Sequence, residues 1–222
     1  MKLDGLKINF LGDSITEGCG TSSEDKIYHS VLKREVGLKE ARNYGISATR
    51  FALQKGTYWA PKNNSEDIKS FSERFAQMDD DADVVVVFGG TNDFGHGDAP
   101  LGVFDDRTPD TFYGACHYLF SGLIKKYIGK TIVIMTPLHR VGERSVFGEK
   151  KKVEYGALKT YVDIIKEVAE YYSLPVLDLF ATSGLQPEID EIKEKYVPDG
   201  LHPNDEGHII IAEKLKMFLL SL

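Results

Sequence analysis

The chain has 222 residues, 42% of them hydrophobic, and a formal net charge of −7. That length buries one substantial core, so a single domain spanning residues 1–222 is expected. The acidic balance, with a pI near 5.4, excludes the concentrated basic face needed to neutralise phosphates, and with it a nucleic-acid partner.

At the start of the chain, Asp4 and Asn9 interrupt any apolar stretch that could act as a secretory signal, and no small-residue cleavage site comes after them. No run of about eighteen apolar residues exists to span a bilayer. A cytoplasmic protein without membrane insertion is the expectation. Residues 7–11 form the first of five short β-branched runs, and a segment of helical period succeeds it at 25–36. The pattern then repeats as strand 41–44, helix 66–78, strand 83–88, helix 109–127, strand 131–135, helix 153–172, strand 175–177 and a terminal helix 205–219. Such alternation predicts the α/β class, a parallel sheet of about five strands with helices on both faces. Val84, Val85, Val86 and Val87 suit a central strand, because alternation disappears where neither face meets water. In the helix 153–172, Leu158, Tyr161, Val162, Ile165, Val168 and Ala169 recur three or four residues apart and form a buried stripe. Asn204 before Asp205 and Glu206 reads as an N-cap, with an acceptor and two acids beside free backbone N–H groups. The least periodic segments, 49–64 and 95–107, read as long loops of the kind that carry function. The only basic cluster, Lys150 to Lys152, reads as solvated, and Cys19 and Cys116 are too few for a disulfide framework and are expected to be reduced.

In an open parallel sheet, ligands bind beyond the carboxyl ends of the strands, so the residues just after each strand matter most. The first three strands run into Gly12-Asp13-Ser14-Ile15-Thr16, Asn43-Tyr44-Gly45-Ile46-Ser47 and Gly89-Gly90-Thr91-Asn92-Asp93. A fourth polar motif, Asp199-Gly200-Leu201-His202-Pro203-Asn204, precedes the terminal helix. Acyl transfer needs a nucleophile, a base, a group that orients the base, and donors for an oxyanion. Ser14 at a strand-to-helix turn offers the hydroxyl, His202 the base, and Asp199, three residues earlier in a turn-forming segment, the orienting carboxylate. The backbone N–H of Ser14 and of Gly45 and the side-chain amide of Asn92 would supply the oxyanion donors, glycine letting a bare amide approach the substrate. Taken singly, each motif is also ordinary turn chemistry, and it is their conjunction in this order that carries the reading.

With these residues in place the sequence resembles the SGNH (GDSL-like) hydrolase family, named for Ser, Gly, Asn and His in four blocks. Ser14, Gly45, Asn92 and His202 match the blocks in order, Asp199 matches the acid that precedes the histidine, and the likeness runs from Gly12 to Asn204. The resemblance implies a flavodoxin-like three-layer α/β/α sandwich, no metal or other cofactor, and a small-molecule ester as partner. It does not imply one substrate or an oligomeric state.

Asp13 and Asp93 are expected to bond nearby backbone N–H groups rather than to react. Tyr58, Trp59 and Phe94 are candidates to line an acyl or alcohol pocket, the alternative being that they anchor loops to the core. His96 and His139 are candidates for substrate contact or plain hydrogen-bonded residues; His29 and His117 read as structural. His208 invites a metal reading, rejected because His-Glu-x-x-His and a supporting cysteine pair are absent. Gly-x-Ser-x-Gly and Gly-x-Gly-x-x-Gly are absent too, which removes the larger α/β-hydrolase elbow and the dinucleotide fingerprint. The expected activity is hydrolysis of carboxylic esters through an acyl-enzyme, with small acyl groups such as acetyl on carbohydrates preferred. Lysophospholipase- or thioesterase-type acyl hydrolysis, and a binding module that lost catalysis, stay open as alternatives.

Overall fold

A computed structural model describes residues 1–53, 70–149, 151 and 153–222. The β-branched runs become β1 (Lys7–Gly12), β2 (Glu40–Gly45), β3 (Val84–Phe88), β4 (Thr131–Met135) and β5 (Val176–Leu177). They pair in parallel in the order β2-β1-β3-β4-β5, so the four valines lie on the middle strand. Val85 and Val87, with Ile132 and Ile134 of β4, point into one core; Val84, Val86, Val133 and Met135 point into the other. Apolar residues on both faces of β3 and β4 leave no side for water, which is why these inner strands show no alternation, whereas the edge strand β2 has no fully buried residue.

One core is covered by α5 (Phe112–Lys126) and α6 (Leu158–Tyr171), the other by α2 (Tyr28–Val36) and α9 (Asp205–Ser221). The expected stripe of α6 is buried throughout, and each of its Leu, Val and Ile side chains contributes about 1.5–3 kcal/mol on leaving water. This α/β/α sandwich is the flavodoxin-like architecture.

Helix boundaries differ from expectation where tertiary packing intervenes. The helix expected over 25–36 is split: Glu24–Lys26 is a 3₁₀ turn, Ile27 is extended (φ −64°, ψ 140°) and buried, and α2 begins at Tyr28. The described part of the helix expected over 66–78 is a single turn, α3 (Phe71–Arg74), continued by a 3₁₀ turn at Phe75–Gln77. Helix α6 starts at Leu158 rather than 153, after Gly156 takes a left-handed φ of 110°. Among the described residues, four short helices were not expected: α1 (Ser14–Glu17), α4 (Thr91–His96), α7 (Leu179–Thr182) and α8 (Asp190–Tyr196). They are too short to show a 3.6-residue period; the side chains of Asp13 and Asp178 cap α1 and α7, while α4 and α8 have no side-chain cap. Asn204 does cap α9, its Oδ1 accepting from Gly207 N–H at 3.1 Å. Among the described residues no helix is long and apolar enough to cross a membrane.

The strand order reverses between β1 and β3. The chain leaving β1 turns towards α2 on one face, and the chain leaving β3 turns through α4 towards α5 on the other. A crevice opens where successive connections part in this way, and Ser14 and Asn92 stand on its two sides.

Candidate active site

Asp13 ends β1 by capping α1: its Oδ1 accepts the Ile15 N–H at 3.0 Å. Burial pushes this carboxyl up to about 6 against that hydrogen bond, and its role is to shape the turn. Ser14 is the first residue of α1, so its N–H has no acceptor within the helix. The motif that begins at Asp199 forms a turn ahead of α9, closed by Gly200 N–H to Val197 O at 2.8 Å with Gly200 at φ 80°. Within it Asp199 Oδ1 accepts the N–H of Leu201 at 2.8 Å and of His202 at 2.6 Å, while Oδ2 takes His202 Nδ1 at 2.6 Å. Partial burial alone would raise the Asp199 carboxyl, but these bonds outweigh it and hold the group below its usual range. A carboxylate on Nδ1 places the ring proton there, so Nε2 is the acceptor, and it lies 2.9 Å from Ser14 Oγ. Ser14, His202 and Asp199, up to 188 residues apart in sequence, thus form one hydrogen-bonded chain.

Ser14 and His202 open onto a cavity of about 270 Å³ that Asn92 and Ala48 also line. Asn92 is the second residue of α4; its Nδ2 donates to Thr49 O at 3.0 Å and its Oδ1 lies 3.1 Å from His96 Nε2. His96 lines the same cavity, and burial pushes its imidazole down to about 4. The neighbouring Asp93 holds the start of the loop after β2, accepting from the N–H of Phe51 at 3.0 Å and of Ala52 at 3.1 Å. Burial raises its carboxyl to about 6.

Gly45 does not take the part expected of it. Its N–H donates to Asn43 Oδ1 at 2.8 Å, and a Cβ there would lie 2.2 Å from Glu17 N, so this glycine allows β2 to pack against α1. The backbone that lines the cavity comes three residues later. Ala48 sits at the third position of a turn closed by Thr49 N–H to Ile46 O at 3.3 Å, with φ 63°, and its N–H donates to no other group among the described residues. Glu17 fixes this turn on α1 by accepting from the Ser47 N–H at 2.6 Å and from its hydroxyl. Buried Arg74 braces the same region from behind, with Nη2 on Gly12 O at 2.6 Å and on Thr49 Oγ1 at 3.0 Å, and Nη1 on Tyr44 O. A left-handed alanine costs about 1–2 kcal/mol relative to its preferred regions. Ala48→Gly is therefore expected to raise stability by about 0.5–1 kcal/mol after the greater chain entropy of unfolded glycine is allowed for. A higher urea midpoint with an unchanged slope is the expected reading, and a lower one would show that the turn carries no strain.

Phe94 is likewise corrected. It is 1% exposed, packed edge-on against Tyr161 and beneath the Arg140 guanidinium, and belongs to the core rather than to the cavity wall. Trp59 and Tyr58 lie outside the described residues. His139 bonds Glu143 at 2.9 Å and packs on the Phe180 ring. His29 is buried with Nε2 at 3.2 Å from Thr16 O, and His208 is buried with Nδ1 accepting from Tyr28 N–H at 3.1 Å. Among the described residues no group of three or more His, Cys, Asp or Glu is placed to hold a metal ion. Sequence reasoning missed Ala48, and also Glu149, which reaches the cavity from the segment before α6 and is paired with Arg140. The position of Ala48 was signalled only by its place in the loop after β2; nothing in the sequence signalled Glu149.

The chain belongs to the GDSL-like lipase/acylhydrolase family, whose model matches residues 10–210. Membership implies ester hydrolase activity. One crystal structure is 32% identical over 100% of this chain and 99% of its own, with a TM-score of 0.84. The structure of a protein from Lactobacillus plantarum is 29% identical, covers 98% of both chains and gives a TM-score of 0.82. The lipase/acylhydrolase from Enterococcus faecalis, at 19% identity over 97% of this chain and 96% of its own, shares the fold with a TM-score of 0.66. No curated protein matches the chain.

Proposed function

We propose that this protein hydrolyses carboxylic esters of small acyl groups through an acyl-enzyme, with Ser14 as nucleophile, His202 as general base and acid, and Asp199 as the orienting acid. The observation that carries this reading is the unbroken relay from Ser14 Oγ through His202 to Asp199 at 2.9 and 2.6 Å, opening on the cavity that Asn92 lines. Ser14 Oγ attacks the ester carbonyl as its proton passes to His202 Nε2, and the Asp199 carboxylate stabilises the imidazolium. The carbonyl oxygen becomes an oxyanion met by the N–H groups of Ser14 and Ala48 and by Asn92 Nδ2–H. Collapse of the tetrahedral adduct breaks the C–O bond to the alcohol, which leaves with the proton from His202. Water then repeats the sequence on the acyl-enzyme and returns Ser14 and the free acid.

Two features favour a small substrate. A cavity of about 270 Å³ lies below the roughly 300–1,000 Å³ that encloses larger ligands. Its wall includes Ser47 and Glu149, polar groups suited to hydroxyls of a polyol alcohol such as a carbohydrate. A longer-chain acyl hydrolase is the second reading, favoured by Val141, Val146 and Phe147, exposed on the segment that carries Glu149. A p-nitrophenyl ester series from acetyl to long-chain acyl separates the two. Turnover falling as the acyl chain lengthens is expected; turnover rising with length would overturn the small-acyl reading. A folded protein that neither turns over any ester nor labels with an organophosphonate would make it a binding module.

A further inference from the structure

Asn92 carries the one oxyanion donor that a bond rotation can remove. Turning the side-chain amide by 180° exchanges Nδ2 for Oδ1 and would present an acceptor, rather than a donor, to the developing negative charge. The contacts that hold the amide the right way round are therefore part of the site.

Two neighbours settle it. Thr49 O, 3.0 Å from Asn92 Nδ2, is a backbone carbonyl and can only accept, so an amide nitrogen must face it. Oδ1 is then directed at His96 Nε2, 3.1 Å away, and the contact is a hydrogen bond only if His96 is protonated there. Were the ring proton on Nδ1 alone, two lone pairs would oppose each other at Nε2, and the amide would gain by turning over at the expense of its bond to Thr49. The tautomer of His96 and the rotamer of Asn92 are thus one coupled choice. Helix α4 makes the pairing local, since positions four apart stand over each other on one face. The surroundings keep the ring neutral: burial dominates, with Arg50, Arg140 and Lys151 opposing a further charge and Glu149 alone favouring it.

We infer that His96 is a positioning residue, whose Nε2–H donates to Asn92 Oδ1 and so holds an Asn92 Nδ2–H towards the oxyanion. This rests on the ester-hydrolase reading, in which that oxyanion forms on the carbonyl attacked by Ser14. It assigns His96 no contact with substrate, and it explains why a cavity-lining histidine sits outside the Ser14–His202–Asp199 relay.

The test is a double-mutant cycle with p-nitrophenyl acetate on the full chain. Asn92→Ala is expected to lower kcat on the order of a hundredfold to a thousandfold. His96→Phe, which keeps a ring but no donor, is expected to lower kcat about tenfold to a hundredfold with KM within about threefold, within the bound set by Asn92→Ala. His96→Gln, whose amide can donate from near the Nε2 position, should recover most of that loss. The double variant should be no slower than Asn92→Ala alone, because His96 acts only through Asn92. Losses that multiply, or a Gln variant as slow as the Phe variant, would overturn the assignment. If His96→Phe fails to fold, His96→Leu takes its place in the cycle. An Asn92→Ala enzyme with undiminished kcat would instead remove the oxyanion role of Asn92, a failure seen without touching His96.

Discussion

Ser14→Ala is expected to lower kcat for p-nitrophenyl acetate on the order of 10⁵- to 10⁶-fold, the largest effect of any single substitution in this chain. The hydroxyl is the only group in the relay whose oxygen becomes bonded to the acyl carbon, so no other residue can stand in for it. Some acceleration over water should survive, because the donors around the oxyanion and the cavity itself remain. Stability should change by about 1 kcal/mol or less: the substitution removes one hydrogen bond to His202 and leaves a methyl group that α1 accommodates. Unchanged turnover in a folded Ser14→Ala variant would refute the nucleophile assignment. Loss of turnover with loss of fold would be recognised by circular dichroism, and the Ser14→Cys variant, which keeps a nucleophile of similar size, would then separate structure from chemistry.

The second large effect concerns the two residues behind the nucleophile, and here the order of the losses is the prediction. His202→Ala removes the base that lies within hydrogen-bond reach of Ser14 Oγ and is expected to cost nearly as much as loss of the nucleophile. Asp199→Asn is expected to cost less, about 10²- to 10⁴-fold. An asparagine can keep an oxygen for the N–H groups of Leu201 and His202, so the turn survives. Its amide nitrogen would favour the Nδ1 lone pair, however, moving the ring proton to Nε2, where it blocks transfer from Ser14. The Asp199 side chain is 56% exposed, so water competes for Nδ1 and limits this effect. A single-turnover measurement should place both losses in kcat rather than in KM, since neither residue supplies ground-state binding. Were His202→Ala the milder lesion, the roles assigned to the pair would be wrong.

Much of this was determined by the sequence alone. The apolar runs of β3 and β4 specified the middle of the sheet, because a strand buried on both faces must be apolar throughout, and the stripe of α6 specified a helix, because its period matches the helical turn. Ser14, Asn92, Asp199 and His202 were legible because each stands in a short polar motif next to an element that periodicity could locate. The tertiary structure decided the features that depend on backbone direction at single residues. It brought Ala48 rather than Gly45 to the cavity after β2, since Gly45 is consumed in the approach of β2 to α1 and Ala48 occupies the left-handed corner of the turn. It also turned Phe94 into the core and His96 towards Asn92, a choice set by the short helix α4, which has too few residues to declare its face in sequence. Glu149 came to the cavity through a loop, and no local pattern encodes where a loop ends in space. Periodicity records which side of an element meets the core; where turns aim individual N–H groups and side chains is settled only when distant segments pack against them.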